Sequence, residues 1–145
     1  MERITQSPQQ TYQLGVELAQ QGAFHARQVV RLNGPMGAGK TSLVKGILAG
    51  LGCRDEVLSP TFSICHRYDV GFEVLHYDLY RLQDDDDLFS VGFYEDLDSD
   101  ACLLIEWAER AEQALADIPT AEIEIVPTQN PDQRIFRIKG LNESI

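Results

Sequence analysis

Gly34-Pro35-Met36-Gly37-Ala38-Gly39-Lys40-Thr41 leaves less room for interpretation than any other part of this sequence. Before it, Gln28-Val29-Val30-Arg31-Leu32-Asn33 reads as a short apolar strand. After it, Leu43, Val44, Ile47, Leu48 and Leu51 recur at helical spacing, and Gly50 and Gly52 end the helix. Strand, glycine-rich turn and helix form the context in which G-x-x-x-x-G-K-[ST] reads as a phosphate-binding loop. By chance the pattern arises on the order of once in two hundred chains of this length.

Elementary chemistry explains that spelling. Phosphate oxygens are wrapped by consecutive backbone N–H groups, so the loop must curl tightly, and glycines at 34, 37 and 39 permit the curl and the close approach. The helix opening after Gly39 directs its positive end at the phosphates. Lys40 adds a full charge towards the β- and γ-phosphates, and the Thr41 hydroxyl is placed for Mg²⁺.

Working outward, Ser7-Pro8-Gln9-Gln10 is an N-cap, a first-turn proline and a capping-box glutamine. It predicts a helix with Leu14, Gly15, Leu18 and Ala19 on one face, stopping near Gly22. Thr61 to Asp69 and Phe72 to Asp78 read as two strands joined around Val70-Gly71. Asp84 to Leu97 reads as a short helix with acids in its first turn. Ala101-Cys102-Leu103-Leu104-Ile105 is the most apolar run, a fully buried strand leading into a helix from Trp107 to Ala116. Glu122 to Val126 and Arg134 to Ile138 alternate as two final strands. The expected fold is α/β: a single P-loop NTPase-like domain over residues 1–145, with a mixed central sheet flanked by helices.

Composition sets limits. The 145 residues are 43% hydrophobic and 24% charged, which excludes disordered and collagen-like chains. Acids outnumber bases 23 to 12, for a net charge of −11, so the chain is a poor candidate for gripping nucleic acid by itself. No apolar run approaches the roughly 20 residues of a membrane span, and the polar start lacks the order of a signal peptide. Cys53, Cys65 and Cys102 are widely spaced and form no CxxC pair. The expectation is a reduced, cytoplasmic protein with no membrane partner.

A phosphate loop needs an acid to orient metal or water. Glu106 directly follows Leu103-Leu104-Ile105, so it emerges at the carboxyl end of a central strand, where α/β sheets place their ligands. Asp78 ends the strand before it in the chain, and His76 shares that strand face, where its expected role is structural. The Asp84–Asp87 run reads as a solvated helix start. From Arg81 to Arg110 there is no intervening base and there are ten acids, a stretch suited to steering a basic partner.

Four phrases occur in this order: Gly34–Thr41, Ser59-Pro60-Thr61-Phe62, His76-Tyr77-Asp78-Leu79-Tyr80-Arg81-Leu82 and Leu104-Ile105-Glu106-Trp107. With them the chain strongly resembles TsaE, the small P-loop ATPase family of bacterial tRNA threonylcarbamoyladenosine synthesis, from about Thr11 to about Ile138. The resemblance implies ATP and Mg²⁺ as cofactors. ATP would be held along Gly37, Ala38, Gly39, Lys40, Thr41 and Ser42, with Thr11, Trp107 and Arg134 near the nucleotide. Thr41 and Glu106 would be metal ligands, and Lys40 and Asp78 would be the catalytic pair, Asp78 as a metal-side or water-orienting acid. The Ser59–Thr61 segment would be a switch-like loop. The implied partners are TsaD and TsaB, which would carry out the transfer chemistry, with tRNA met only through that complex.

Two other classes fit less well. A small-metabolite kinase shares the loop and the length, but it needs an arginine-rich lid, and bases are sparse here. A nucleotide-binding module without turnover does not need Lys40, Thr41, Asp78 and Glu106 together.

Overall fold

The computed structural model describes residues 1–35, 37–54 and 64–141. The chain begins with strand β1 (Glu2–Thr5) and helix α1 (Pro8–Gln20). Ser7 caps that helix: its hydroxyl accepts from the Gln10 N–H at 3.1 Å, while the Gln10 amide oxygen accepts from the Gln6 N–H at 2.7 Å. Leu14, Gly15, Leu18 and Ala19 are buried, which is the face expected from their spacing.

Strand β2 (Gln28–Asn33) leads into α2 (Lys40–Gly50), and β3 (Cys65–Asp69) and β4 (Glu73–Asp78) form an antiparallel hairpin. The single helix expected from Asp84 to Leu97 is instead two, α3 (Asp85–Ser90) and α4 (Phe93–Leu97). They part at Gly92, whose φ of 79° lies outside helical space. Strand β5 (Cys102–Glu106) is buried at every residue. A 3-10 turn (Ala108–Ala111) and a single turn, α5 (Glu112–Leu115), stand where one helix from Trp107 was expected. Strands β6 (Ala121–Pro127) and β7 (Arg134–Lys139) complete the chain.

The seven strands form one sheet in the order β1-β7-β6-β2-β5-β4-β3. The four central strands, β6, β2, β5 and β4, are mutually parallel, and the outer pairings are antiparallel. Central parallel strands are covered on both faces, which is why β5 is apolar up to its last residue, Glu106. Its alternate residues serve two cores. Cys102 and Leu104 join Leu18 of α1 and Ile47 of α2 on one face; Leu103 and Ile105 join Leu88, Phe93 and Leu115 on the other. Each fully buried leucine or isoleucine contributes about 1.5–3 kcal/mol. A buried polar tie locks the hairpin to α4: the Tyr77 hydroxyl donates to Asp96, which also accepts from Arg67 at 2.9 and 3.0 Å. Burial, and then that hydrogen bond, push the Tyr77 phenol above its ordinary pKa.

This topology sets out the site. Asp78 and Glu106 face each other in the β4–β5 register, and Glu106 faces Leu32 of β2 in the next. The carboxyl ends of all three strands therefore open on the same edge as the Gly34–Thr41 loop. The expected Ser59–Thr61 switch, like Met36, lies outside the described residues.

Candidate functional site

The loop owes its shape to its small residues. Gly37 and Gly39 have φ values of 75° and 104°, in the region that favours glycine, and a Cβ at Gly37 would meet nothing within 4 Å. Gly34 has a different reason: a Cβ there would stand 3.0 Å from the Ile125 carbonyl oxygen of β6. The Ala38 N–H bonds to the Pro35 carbonyl at 3.2 Å, and the Leu43 N–H to the Gly39 carbonyl at 3.0 Å, so the loop runs straight into α2. Thr41 and Ser42 are half-buried in the first turn of that helix.

Lys40 folds back over the loop. Its Nζ donates to the Gly34 carbonyl at 2.8 Å, lies 3.5 Å from Glu106 Oε1 and stands 5.1 Å from the centre of the Trp107 ring. The Lys40 and Glu106 side chains are 7% and 8% exposed, so the charges face each other in a poorly solvated recess. Glu106 Oε2 meets His76 Nε2 at 2.5 Å. Burial alone would raise the Glu106 carboxyl; the His76 hydrogen bond and the nearby positive charge outweigh it and hold the pKa below the usual range. Asp78 behaves oppositely. Burial is the main influence and the Glu106 charge adds to it, so its pKa is raised although Oδ1 accepts from the Tyr80 N–H at 3.1 Å.

Trp107 departs from helical backbone, with φ 58° and ψ 44°, and this left-handed residue turns the chain sharply after Glu106. Its ring lies 4.9 Å from that of Tyr80, centre to centre. A cavity of about 360 Å³ opens beside it, lined by Arg31, Asn33, Gly34, Pro35, Glu109 and Glu112 among others.

Thr11 and Arg134 approach the loop from behind. The Thr11 hydroxyl pairs with that of Thr5 at 2.8 Å, and its methyl lies 3.8 Å from where a Gly39 Cβ would stand. Arg134 donates from Nε to the Ala38 carbonyl at 3.1 Å and from Nη2 to the Gly37 carbonyl at 3.4 Å. Its Nη1 holds the Pro131 and Gln133 carbonyls at 2.6 and 2.9 Å, so the guanidinium braces the loop. Lys40, Glu106, Asp78 and Trp107 thus share one edge, with Thr11 and Arg134 as supports beneath it. His76, expected to be structural, joins this cluster through its contact with Glu106. Its signal was the two-residue spacing to Asp78, which puts both on one strand face.

The residues present fit a magnesium nucleotide. Among the described residues no three His, Cys, Asp or Glu side chains converge on one point. Mg²⁺ is ordinarily held by one or two protein groups plus substrate phosphates, so Thr41 and Glu106 would suffice as its protein donors. The open cradle at Gly37 and the buried Lys40 suit the phosphates themselves.

Fold and site together define an α/β protein whose glycine-rich loop and paired carboxylates meet at the carboxyl edge of a largely parallel sheet. The comparisons narrow this class. The family model described as threonylcarbamoyl adenosine biosynthesis protein TsaE matches residues 5–136. Relatives named tRNA threonylcarbamoyladenosine biosynthesis protein TsaE include one from Haemophilus influenzae, 41% identical over 66% of this chain and 59% of its own length. The one from Treponema pallidum is 35% identical over 81% of this chain and 85% of its own, and that from Aquifex aeolicus 34% over 94% and 96%. The crystal structure of YdiB from Bacillus subtilis superposes with a TM-score of 0.70 at 27% identity, covering 98% of this chain and 86% of that one. The chain belongs to the TsaE family.

Proposed function

We propose that this protein is an ATP-binding, ATP-hydrolysing subunit of tRNA threonylcarbamoyladenosine biosynthesis, acting in the cytoplasm with the TsaD–TsaB complex. Family membership supports the pathway, and the Lys40–Glu106–Asp78 cluster at the mouth of a glycine-rich loop supports the chemistry. The backbone of Gly37, Ala38 and Gly39 and the Lys40 ammonium would hold the phosphates, and Thr41 and Glu106 the Mg²⁺. When bound, the nucleotide supplies a γ-phosphoryl group for transfer to water, its charge offset by the metal.

The chain's own groups then have distinct tasks. Lys40 exchanges the Gly34 carbonyl for phosphate oxygens. Asp78, whose raised pKa reflects burial and the Glu106 charge, orients the attacking water and takes up its proton. Trp107 covers Lys40 and limits water. Arg134 keeps the Gly37 and Ala38 carbonyls turned away from the anion. Among the described residues no helix is long and apolar enough to cross a membrane.

Hydrolysis by the chain alone should be slow. Efficient phosphoryl transfer draws on a further cation, often an arginine supplied by a partner and worth about 10³–10⁵ in rate. The test is steady-state phosphate release by this protein, by TsaD–TsaB, and by the mixture. A mixture faster than the sum of its parts supports the reading, and a simple sum overturns the partnership. Tight tRNA binding by the isolated chain at physiological salt would contradict tRNA access through the complex only.

A further inference from the structure

His76 has no task in the chemistry proposed so far. It lies on β4 two residues before Asp78, 1% exposed, with Nε2 against Glu106. Its Nδ1 is buried and has no hydrogen-bond partner among the described residues. An apolar residue at this position would avoid that unmet group, so packing alone does not explain an imidazole here. A proton on Nδ1 would be a stranded donor, whereas a proton on Nε2 meets a carboxylate oxygen directly.

We propose that His76 is a positioning residue: its Nε2–H pins Oε2 of Glu106, leaving Oε1 as the oxygen that addresses Lys40 and the loop. The terminal torsion of a glutamate is broad and nearly two-fold, so an unpinned carboxylate turns freely. Without His76 neither oxygen is held, and Oε1 is no longer fixed in the direction of the loop. With Oε2 engaged, Lys40 keeps its shorter bond to Gly34, 2.8 Å against 3.5 Å to Glu106. The consequence for Mg²⁺ rests on the function proposed above. Groups that orient a metal ligand are typically worth 10–100-fold in metal affinity.

Two variants separate positioning from structure: His76→Leu removes the donor, and His76→Gln keeps a nitrogen donor near the Nε2 position. ATP is titrated calorimetrically into each with Mg²⁺ and with EDTA, and the melting temperature of each ligand-free protein is recorded. His76→Leu should lose roughly 10–100-fold of the Mg²⁺-dependent gain in affinity while its EDTA affinity stays at the parent value, and His76→Gln should recover most of the loss. A full Mg²⁺ gain in His76→Leu, or equal losses with and without Mg²⁺ in both variants, overturns the proposal. A second arm needs no nucleotide. In the ¹⁵N-histidine-labelled protein, the signal lost in His76→Gln should show a protonated Nε2; an Nδ1–H tautomer overturns the proposal. If the parent protein binds no ATP, the proposed function falls, and this spectrum alone decides whether His76 donates to Glu106.

Discussion

Replacing Gly46 by alanine should destabilise the protein, although alanine is the better helix former. Helices α1 and α2 touch backbone to backbone. A Cβ on Gly46 would stand 2.0 Å from the Tyr12 carbonyl oxygen and 2.8 Å from its carbon, and one on Gly15 would stand 2.5 Å from the Leu43 carbonyl oxygen. Real Cβ atoms essentially never approach below 3.0 Å, so the helices must part by about 1 Å or more. The obstacle is backbone that cannot swing aside, which places the cost near the upper end of ordinary overpacking, about 3 kcal/mol. The gain in helix propensity returns about 1 kcal/mol. The net loss is about 2 kcal/mol, which for a chain of this size lowers Tm by about 4–8 °C. Thermal unfolding of Gly46→Ala followed by circular dichroism measures this directly. A Tm equal to or above that of the parent would refute the close approach. The damage should also reach the site, since Thr11, next to Tyr12, holds its methyl 3.8 Å from where a Gly39 Cβ would stand.

Lys40→Ala should keep its fold and lose ATP affinity by about 10–150-fold, the range for a lost hydrogen bond to a charged group, about 1.5–3 kcal/mol. Calorimetry beside a melting curve tests this, and unchanged affinity removes the phosphate-loop assignment. Asp78→Asn should slow phosphate release yet raise the Tm of the ligand-free protein at neutral pH. A carboxyl whose pKa is raised on folding contributes stability below its unfolded value and loses it as pH rises through the folded value, so the uncharged asparagine relieves a cost present at pH 7. The Tm advantage should shrink as pH falls into the carboxylate range, and a lower Tm at pH 7 refutes it. Arg134→Ala should weaken ATP binding several-fold, through loosened Gly37 and Ala38 carbonyls, with equal effect with and without Mg²⁺. A loss confined to the Mg²⁺ condition would show that Arg134 acts on the metal side instead.

The parts of the fold legible in the sequence are those where one local rule dominates. The cap at Ser7, the period of α1 and α2, and the unbroken apolar run of β5 are all local signals, and the structure carries each within a residue or two. Strand β1 was not legible, because its pattern runs against expectation: Ile4 is 54% exposed and Thr5 is buried. Only pairing with β7, at the other end of the chain, makes those residues a strand. The break at Gly92 and the left-handed Trp107 were missed because a charged or aromatic stretch looks helical until tertiary packing redirects it. Within the site, Glu106 and Asp78 could be placed from strand ends alone. The engagement of His76 could not, since it depends on a diagonal contact between strands 30 residues apart.

The left-handed turn at Trp107 has an optical consequence. The chain contains a single tryptophan, so its intrinsic indole emission comes from one place. That indole lies near a buried ammonium and a tyrosine ring. A backbone conformation of this kind costs about 1–3 kcal/mol for a residue other than glycine and persists only where its surroundings fix it. Emission wavelength and quenching should therefore respond to charge at Lys40, and an anion bound by that lysine is expected to alter them. The protein has a fluorophore beside its glycine-rich loop, so nucleotide binding, if it occurs as proposed above, should be visible in real time without a label.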